Sequence, residues 1–187
     1  MSPSMPEAGP APIMRIQSIS RVMIWLTTFG LALTLAAVVY VLTDADVLTG
    51  LLQDEVLTSE ANVALTPWSR AVLTALILVH AVFGAAILWG VRRLFRAFAD
   101  GRIFATASAA SLRTIGLLMI AYAPAGVVIE AIASVVATIG NPAGQRQLTI
   151  GLEGADLQLV LMGGLLLVIG WVMGEAVGMS EELEQIV

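Results

Sequence analysis

The sequence contains no cysteine and no lysine, and each absence excludes a type of chemistry. Without cysteine there are no disulfides, thiolate metal sites or cysteine nucleophiles. Without lysine there is no lysine Schiff base, and all nine basic residues are arginine. Histidine occurs once, at position 80. A catalytic metal site commonly draws three ligands from His, Cys or carboxylates, and these residues do not cluster in the sequence at a spacing that suits such a site.

Charge is scarce as well: 12% of the residues are charged, 58% are hydrophobic, and the mean hydropathy is +0.92. A bilayer-spanning helix needs roughly 20 mostly apolar residues, and the chain has four such runs, at about 22–43, 68–91, 113–140 and 157–177. The sequence therefore predicts an all-α integral membrane protein, a four-transmembrane-helix bundle. Residues 1–13, rich in Pro, Ser and Ala, are expected to form a disordered lead-in, and residues 14–187 a single membrane domain.

The arginines indicate the orientation in the membrane, because basic residues near span ends favour the cytoplasmic side. Most of them lie between the second and third spans, in a segment that we call the basic turn: Arg92, Arg93, Arg96, Arg102 and Arg113. Arg15 and Arg21 precede the first span, whereas only Arg70 and Arg146 lie on the opposite side. This pattern predicts that both termini are cytoplasmic.

Two interpretations of the basic turn stay open. Its arginines can bind anionic lipid headgroups, or they only reflect the retention of positive charge on the cytoplasmic side during insertion. No other basic surface exists, so direct nucleic-acid binding is not expected.

Local signals predict where the helices begin and end. Thr66, Pro67 and Trp68 suit the start of the second helix as N-cap, first helical residue and interfacial aromatic. That helix is expected to outrun the membrane until Asp100 and Gly101 supply a turn, after which Thr106 or Ser108 caps the third helix.

The outer connections contain weaker patterns. After the first span, apolar residues at helical spacing predict a short surface helix: Val47, Leu48, Leu51, Leu52 and Val56. In the second outer connection, the stretch "RQLTIGL" alternates as a strand would and could pair with "NVALT" near Ala64 in a small hairpin.

One stretch, "LFRAFADGRIFATASAASLRTIG" at 94–116, resembles the central motif of the bacterial domain-of-unknown-function family 2975. The matching positions are Gly101, Ile103, Phe104, Leu112, Arg113, Ile115 and Gly116. The C-terminal segment with Glu181, Glu182 and Glu184 is similar to the acidic ending of that family. The resemblance implies a small four-helix protein of the bacterial inner membrane, without assigned activity and often encoded beside a helix-turn-helix regulator.

Glu130 is the only charge between Arg113 and Arg146, and a carboxylate inside a span is expected to face the bundle interior and find a partner. His80 is the obvious candidate. In an antiparallel hairpin that turns near Ile103, the two residues lie 23 and 27 residues from the turn, an axial offset of about 6 Å. We therefore hypothesise a structural His80–Glu130 contact. The alternatives are a proton or cation relay along Tyr122, Ser134 and Thr74, and a ligand site.

The fourth span carries glycines at every fourth residue: Gly170, Gly174 and Gly178. This spacing lets another helix approach closely. The partner is expected to be the first helix, through Gly30 or Ala36 and Ala37, with a second copy or another membrane protein as the rival.

Taken together, these features favour a non-catalytic membrane protein that acts as an accessory, sensory or regulatory partner. The alternative is a small ion- or proton-coupled transporter that uses His80 and Glu130. No cofactor is expected, since a haem on His80 would need a second axial ligand such as Met119 or Met162.

Overall fold

The computed structural model describes residues 12–44, 47–48, 50, 66–103, 105–142 and 144–184. Four long helices dominate these ranges: α1 (Pro12–Thr43), α2 (Pro67–Ala99), α3 (Thr106–Thr138) and α4 (Gly154–Glu184). All four are long and apolar enough to cross a membrane, and the described ranges contain no strand. The predicted all-α, four-helix membrane architecture is confirmed. The first helix begins at Pro12, inside the predicted lead-in, while residues 1–11 lie outside the description.

Each helix packs mainly against its neighbours in the chain, so that α1 lies on α2, α2 on α3, and α3 on α4. The pairs are antiparallel: Gln17, near the start of α1, approaches Gly101 at the end of α2, and Gly30 lies against Leu88. We call the end of the bundle with the α2–α3 connection the turn end, and the opposite end the loop end. The third helix is the central one and contains most of the buried residues.

Exposed aromatic side chains form two levels on the outside of the bundle. Trp89 on α2 and Trp171 on α4 are exposed towards the turn end, while Trp68 is exposed at the start of α2. Trp68 and Trp89 are 21 residues apart, which corresponds to about 31 Å of helix. Since the hydrocarbon core of a bilayer is about 30 Å thick, the two levels match the interfacial positions that Trp prefers.

The start of α2 is capped as the sequence predicts. The Thr66 hydroxyl accepts a hydrogen bond from the Ser69 backbone N–H at 3.3 Å, and the Ser69 hydroxyl oxygen accepts one from the Thr66 N–H at 2.8 Å. Pro67 occupies the first turn. This reciprocal capping box satisfies two backbone donors that a helix start would leave unpaired.

The end of α2 is a Schellman motif built on Gly101. The backbone N–H of Arg102 donates to the Ala97 carbonyl at 2.9 Å, and that of Gly101 donates to the Phe98 carbonyl at 3.0 Å. Gly101 has φ of +78°, a left-handed conformation that a side chain would strain. The predicted turn at Asp100–Gly101 is therefore confirmed, and α2 continues through the basic residues Arg92 and Arg96 to Ala99.

The start of α3 differs from the prediction. Its N-cap is Ala105, without a side-chain cap, and Thr106 is the first helical residue. The Ser108 hydroxyl donates to the Arg102 carbonyl at 2.8 Å instead of capping the helix. The serine fastens the preceding turn to α3, which is why its side chain is fully buried.

The connection from α3 to α4 is extended but is not a strand in the described residues. Two buried hydroxyls at the end of α3 hold it: Thr138 Oγ1 accepts from the Gln147 N–H at 3.0 Å, and Ser134 Oγ accepts from the Thr149 N–H at 2.9 Å. The predicted alternation of residue types in this segment thus reflects an extended chain that lies along α3. Gln147 and Thr149 are bonded to the helix, and Leu148 between them is exposed. The proposed partner strand near Ala64 lies outside the described residues.

The connection after α1 is described only at its beginning. Val47 and Leu48 have helical backbone, and Leu48 is completely buried against α1, α2 and α3. This part of the predicted surface helix therefore contributes to the core of the loop-end half. Leu51, Leu52 and Val56 lie outside the described residues.

Candidate functional site

A half-open cavity of about 520 Å³ lies among α1, α2 and α3 in the loop-end half of the bundle. Its walls are mainly aliphatic and include Leu33, Val38, Val41, Leu73, Leu76, Ile77, Val127 and Ile129. Five polar side chains join them: Thr34, His80, Tyr122, Glu130 and Asp156. Size and lining are typical of pockets for small molecules, which measure about 300–1,000 Å³ and combine apolar walls with a few polar groups.

His80 and Tyr122 form the polar floor of this cavity. The Tyr122 hydroxyl and His80 Nε2 are hydrogen-bonded, and the two rings meet edge to face with centroids 4.8 Å apart. Phe83 also meets Tyr122 edge to face, with centroids 6.3 Å apart. His80 is nevertheless exposed.

The hypothesis of a direct His80–Glu130 contact stays a prediction. The hydrogen bond that the structure gives His80 joins it to the Tyr122 hydroxyl, a pairing that the sequence did not predict. Both His80 and Glu130 line the same cavity, however, so the two predicted polar residues do share one site. Glu130 lies closer to the loop end than His80 does. It is near the α3–α4 connection, where a Cβ added to Gly151 would be 3.9 Å from Glu130 Oε2.

The polar groups occupy different depths. Asp156 is in the first turn of α4, where its carboxylate accepts a hydrogen bond from the Glu153 N–H at 3.0 Å. Glu130 is eight residues from the end of α3 at Thr138, about 12 Å along the helix. His80 is thirteen residues from the start of α2, about 20 Å along it. The cavity therefore extends from the loop end towards the middle of the bundle, with polar groups along its length.

A glycine leaves room on the α3 wall. A Cβ added at Gly126 would meet nothing within 4 Å, and the backbone there has no unusual conformation. Ala37, Ala81 and Ala133 also line the cavity, so small residues from three helices create the open volume.

The other residues of the predicted relay are not part of this lining. Ser134 is fully buried and donates its hydroxyl proton to the Ala131 carbonyl at 3.0 Å while it holds the Thr149 backbone. Thr74 lies on α2 but does not line the cavity, so only Tyr122 of the three joins His80. Met119 packs in the turn-end core, and Met162 is exposed on α4.

A second feature is the close seam between α3 and α4. A Cβ added at Gly116 would lie 2.5 Å from the Gly163 carbonyl oxygen, and one added at Gly163 would lie 2.8 Å from the Gly116 carbonyl oxygen. Real Cβ atoms do not come so close to backbone atoms, so both positions need glycine. The seam continues to Gly170, where a Cβ would lie 2.9 Å from the backbone nitrogen of Arg113.

The seam corrects the expected partner of the α4 glycines. Gly170 and Gly174 face Ala109 and Arg113 of α3, not the first helix. Gly30 lies instead against Leu88 of α2. A Cβ added at Gly178 would have nothing within 4 Å, so this glycine is not part of the close contact.

The arginines of the basic turn differ in their contacts and in their burial. Arg92 Nε donates to the Thr28 hydroxyl at 2.9 Å and so ties α2 to α1, and its guanidinium lies 5.8 Å from the centre of the Trp89 ring. Arg102 pairs with Asp100 at 2.9 Å on the surface. Arg93 and Arg96 are exposed, whereas Arg113 is half-buried in the α3–α4 seam.

The geometry explains the motif positions between 101 and 116. Gly101 ends α2, Leu112 and Ile115 are buried with Leu94 in the turn-end core, and Gly116 forms the closest point of the seam. Ile103 is half-buried, and Phe104 lies outside the described residues. The motif therefore encodes a turn followed by the α2–α3 and α3–α4 contacts.

Sequence reasoning missed three contributors: the pairing role of Tyr122, the position of Asp156 at the cavity, and the contact between Gly116 and Gly163. Of these three, the sequence indicates only the contact between Gly116 and Gly163, because Gly163 and Gly164 interrupt an otherwise bulky apolar run. The α4 segment with Glu181 and Glu182 continues the helix to Glu184.

Comparison with known proteins gives one family. No curated protein and no solved structure matches the chain. Residues 22–187 match the family described as "Protein of unknown function (DUF2975)". This range contains all of the seam, the cavity and the basic turn, and it confirms the resemblance carried by residues 94–116. The chain belongs to the DUF2975 family, and it is a multi-pass membrane protein by its four spanning helices.

Proposed function

We propose that the protein is a non-catalytic membrane receptor or accessory subunit that binds a small, largely apolar molecule with a polar end. The observation that carries the proposal is the cavity among α1, α2 and α3, with its aliphatic walls and its polar groups at several depths. An apolar body would fill the space beside Gly126, while the polar end would find hydrogen-bonding groups on His80, Tyr122 or Glu130.

The shape of the cavity favours binding over passage. Its lining reaches Ala81 on α2, Tyr122 on α3 and Leu33 on α1. From Ala81 to Arg92 at the turn end, α2 continues for eleven residues, about 16 Å. Over this length α2 and α3 pack through Ile87, Val91 and Met119 around the buried Ile115. The residues that line the cavity thus lie in the loop-end half and the middle of the bundle, which supports binding of a ligand there.

The membrane setting is part of the same proposal. We place the turn end on the cytoplasmic side of a bacterial inner membrane, on the strength of its arginines and of the positive-inside rule. The helical acidic segment at the end of α4 then lies on the same side as the basic turn. These two surfaces are where a membrane partner, or the helix-turn-helix regulator implied by the resemblance, would sense the occupied cavity.

A direct test compares what copurifies with two variants. Gly126→Leu should fill the cavity without disturbing the backbone, because the glycine has open space around it. Gly164→Leu on α4 is a matched control, since a Cβ there also meets nothing within 4 Å and the residue does not line the cavity. Each protein is purified from its native membrane in mild detergent, and organic extracts are analysed by mass spectrometry.

The expected result is a small molecule that is present with the unmodified protein and with Gly164→Leu but lost with Gly126→Leu. Identical extracts from all three proteins would reject the cavity as a binding site. Circular dichroism of each preparation confirms that the helices are intact.

The rival function is ion- or proton-coupled transport, and one observation favours it: two carboxylates, Glu130 and Asp156, line the same cavity as His80. Intramembrane carboxylates are typical of coupled carriers. In liposomes, a carrier would acidify or alkalinise the lumen under a proton gradient, and Glu130→Gln should abolish this flux while Glu153→Gln, at the exposed start of α4, should retain it. Flux equal to that of empty liposomes is the result that the binding function predicts.

A further inference from the structure

The polar side chains that line the cavity differ in what their polar atoms already contact. The Thr34 hydroxyl donates to the Gly30 carbonyl of its own helix at 2.9 Å. The Tyr122 hydroxyl and His80 Nε2 are hydrogen-bonded to each other. A ligand that bonded to any of these atoms would have to compete with a contact inside the protein.

The two carboxylates of the lining lie at different places. Asp156 Oδ2 accepts a hydrogen bond from the Glu153 N–H at 3.0 Å, which is a capping contact at the start of α4. Glu130 is half-buried on α3, inside the third span. A carboxylate offers about four acceptor sites on its oxygens, so Glu130 can accept from a ligand beside any contact that it has within the chain.

Glu130 belongs to a stripe on α3 that faces the cavity. Tyr122, Gly126 and Glu130 follow one another at intervals of four residues and therefore lie on the same face of the helix. All three line the cavity, and the glycine leaves open space, because a Cβ there would meet nothing within 4 Å. An apolar body beside Gly126 would thus have its polar end at Glu130, about 6 Å away along the helix.

The ionisable groups of the lining are mainly acidic. Among the described residues, the lining contains these two carboxylates, His80 and Tyr122, and none of the nine arginines. Arg70 and Arg146 are exposed at the same end of the bundle, and Arg146 Nε donates to the Asn141 carbonyl at 3.3 Å. A ligand in the cavity therefore meets acidic side chains on its walls.

This acidity selects the polar end of the ligand. An ionised carboxylate inside a span is costly unless a cation or water compensates it. A protonated amine would supply the cation and would donate charge-assisted hydrogen bonds to the carboxylate oxygens. An anionic end would face like charge instead, and a neutral hydroxyl would supply no counter-charge.

We propose that the cavity binds a lipophilic amine in its protonated form, with the ammonium group at Glu130 and the apolar body beside Gly126. The inference rests on the function proposed above, a binding site for a small apolar molecule with a polar end, and it specifies the chemistry of that end. Asp156 adds negative charge to the loop-end part of the cavity and so attracts the same class of ligand.

The experiment uses the full chain in maltoside micelles and three probes that share one compact apolar cage. The probes are adamantylamine, adamantanol and adamantanecarboxylate, which are cationic, neutral and anionic at neutral pH. Isothermal titration calorimetry measures their dissociation constants, with titrations into empty micelles as blanks. The variants are Glu130→Gln and Gly126→Leu. Glu153→Gln is the matched control, because this acid is exposed directly before α4 and does not line the cavity.

The amine should bind the unmodified protein at least about tenfold more tightly than the alcohol, the difference expected for a charge-assisted hydrogen bond, and the carboxylate should not bind. Glu130→Gln should bind the amine no better than the alcohol, whereas Glu153→Gln should keep the preference for the amine. Equal binding of amine and alcohol to the unmodified protein, a preference that survives in Glu130→Gln, or no binding of the amine would overturn the inference.

Gly126→Leu separates a failure of this inference from a failure of the proposed function. If amine and alcohol bind equally and both are lost in Gly126→Leu, the cavity binds apolar molecules and only the assignment of an amine is wrong. If Gly126→Leu binds the probes as the unmodified protein does, the cavity is not their binding site and both proposals are contradicted. If no probe binds, the inference fails, and the organic extracts described above decide the proposed function separately. Should Glu130→Gln fail to fold, the ranking of the three probes on the unmodified protein decides the charge of the ligand.

Discussion

Gly116 of α3 and Gly163 of α4 touch through their backbones, and neither position has room for a methyl group. The contact is mutual, because the Cβ of either residue would meet the carbonyl oxygen of the other at less than 3.0 Å. Helices that approach so closely gain packing and weak Cα–H···O contacts along the seam. In a bilayer, where burial of apolar surface between helices gives little driving force, such packing is a main source of helix association.

Replacement of Gly116 by alanine should therefore destabilise the bundle. The methyl group would force α3 and α4 apart, and overpacking of this kind typically lowers the free energy of unfolding by about 1–3 kcal/mol. Reversible unfolding in mixed micelles, followed by circular dichroism, measures the change.

Gly126→Ala is the matched control on the same helix, because its added methyl group enters open space. It should leave the free energy of unfolding unchanged or raise it by about 0.5–1 kcal/mol, as alanine does when it replaces glycine inside a helix. Equal stability of the two variants would show that the seam is not tight.

The His80–Tyr122 pair should be energetically coupled. A double-mutant cycle with His80→Leu and Tyr122→Phe is expected to give an interaction energy of about 0.5–1.5 kcal/mol, the range for intramolecular hydrogen bonds. The same cycle with His80→Leu and Glu130→Gln should give a smaller value, because His80 is bonded to Tyr122 instead. A larger coupling to Glu130 would contradict the structure.

The fold and both ends of α2 could be predicted from the sequence because their causes are local. Hydropathy over about 20 residues predicts the spans, and Thr66–Pro67 and Asp100–Gly101 contain the chemistry of the cap and the turn. Partners across helices depend on register and face, which one sequence constrains only loosely. A hairpin centred near Ile103 places His80 opposite Gly126, and this leaves Tyr122 and Glu130 each one helical turn away in opposite directions.

The same limit applies to the glycines and the cavity. The spacing of Gly170 and Gly174 shows that some helix approaches closely, but α1 and α3 both offer small residues to receive them. The cavity arises where side chains of three helices fail to fill the space between them, and no local pattern in the sequence reports that.

The hydroxyls of Ser134 and Thr138 should control the order of the connection between α3 and α4. Ser134→Ala removes the acceptor of the Thr149 backbone N–H, so hydrogen exchange in a peptide covering 145–152 should become faster. Thr114→Ala is the control, because its hydroxyl donates to the Ala110 carbonyl of its own helix. Unchanged exchange in Ser134→Ala would mean that the connection is held by other contacts.

The orientation of the bundle can be tested with single cysteines, since the chain has none of its own. The positive-inside rule predicts that the turn end, with Arg93, Arg96 and Arg102, faces the cytoplasm. Thr106 at the turn end and Gln145 at the loop end are both exposed, so reporter cysteines there should be accessible without disturbing the core. Ser108 would be unsuitable because its side chain is buried and bonded to the Arg102 carbonyl.

In bacterial cells that express the protein and whose outer membrane alone has been permeabilised, a membrane-impermeant maleimide should label Gln145→Cys and leave Thr106→Cys unlabelled. After the inner membrane is opened, both variants should react to a similar extent, which controls for local accessibility. Labelling of Thr106→Cys while the inner membrane is intact would show that the bundle has the opposite orientation. The loop end, with the cavity-lining carboxylate of Asp156 in the first turn of α4, would then face the cytoplasm.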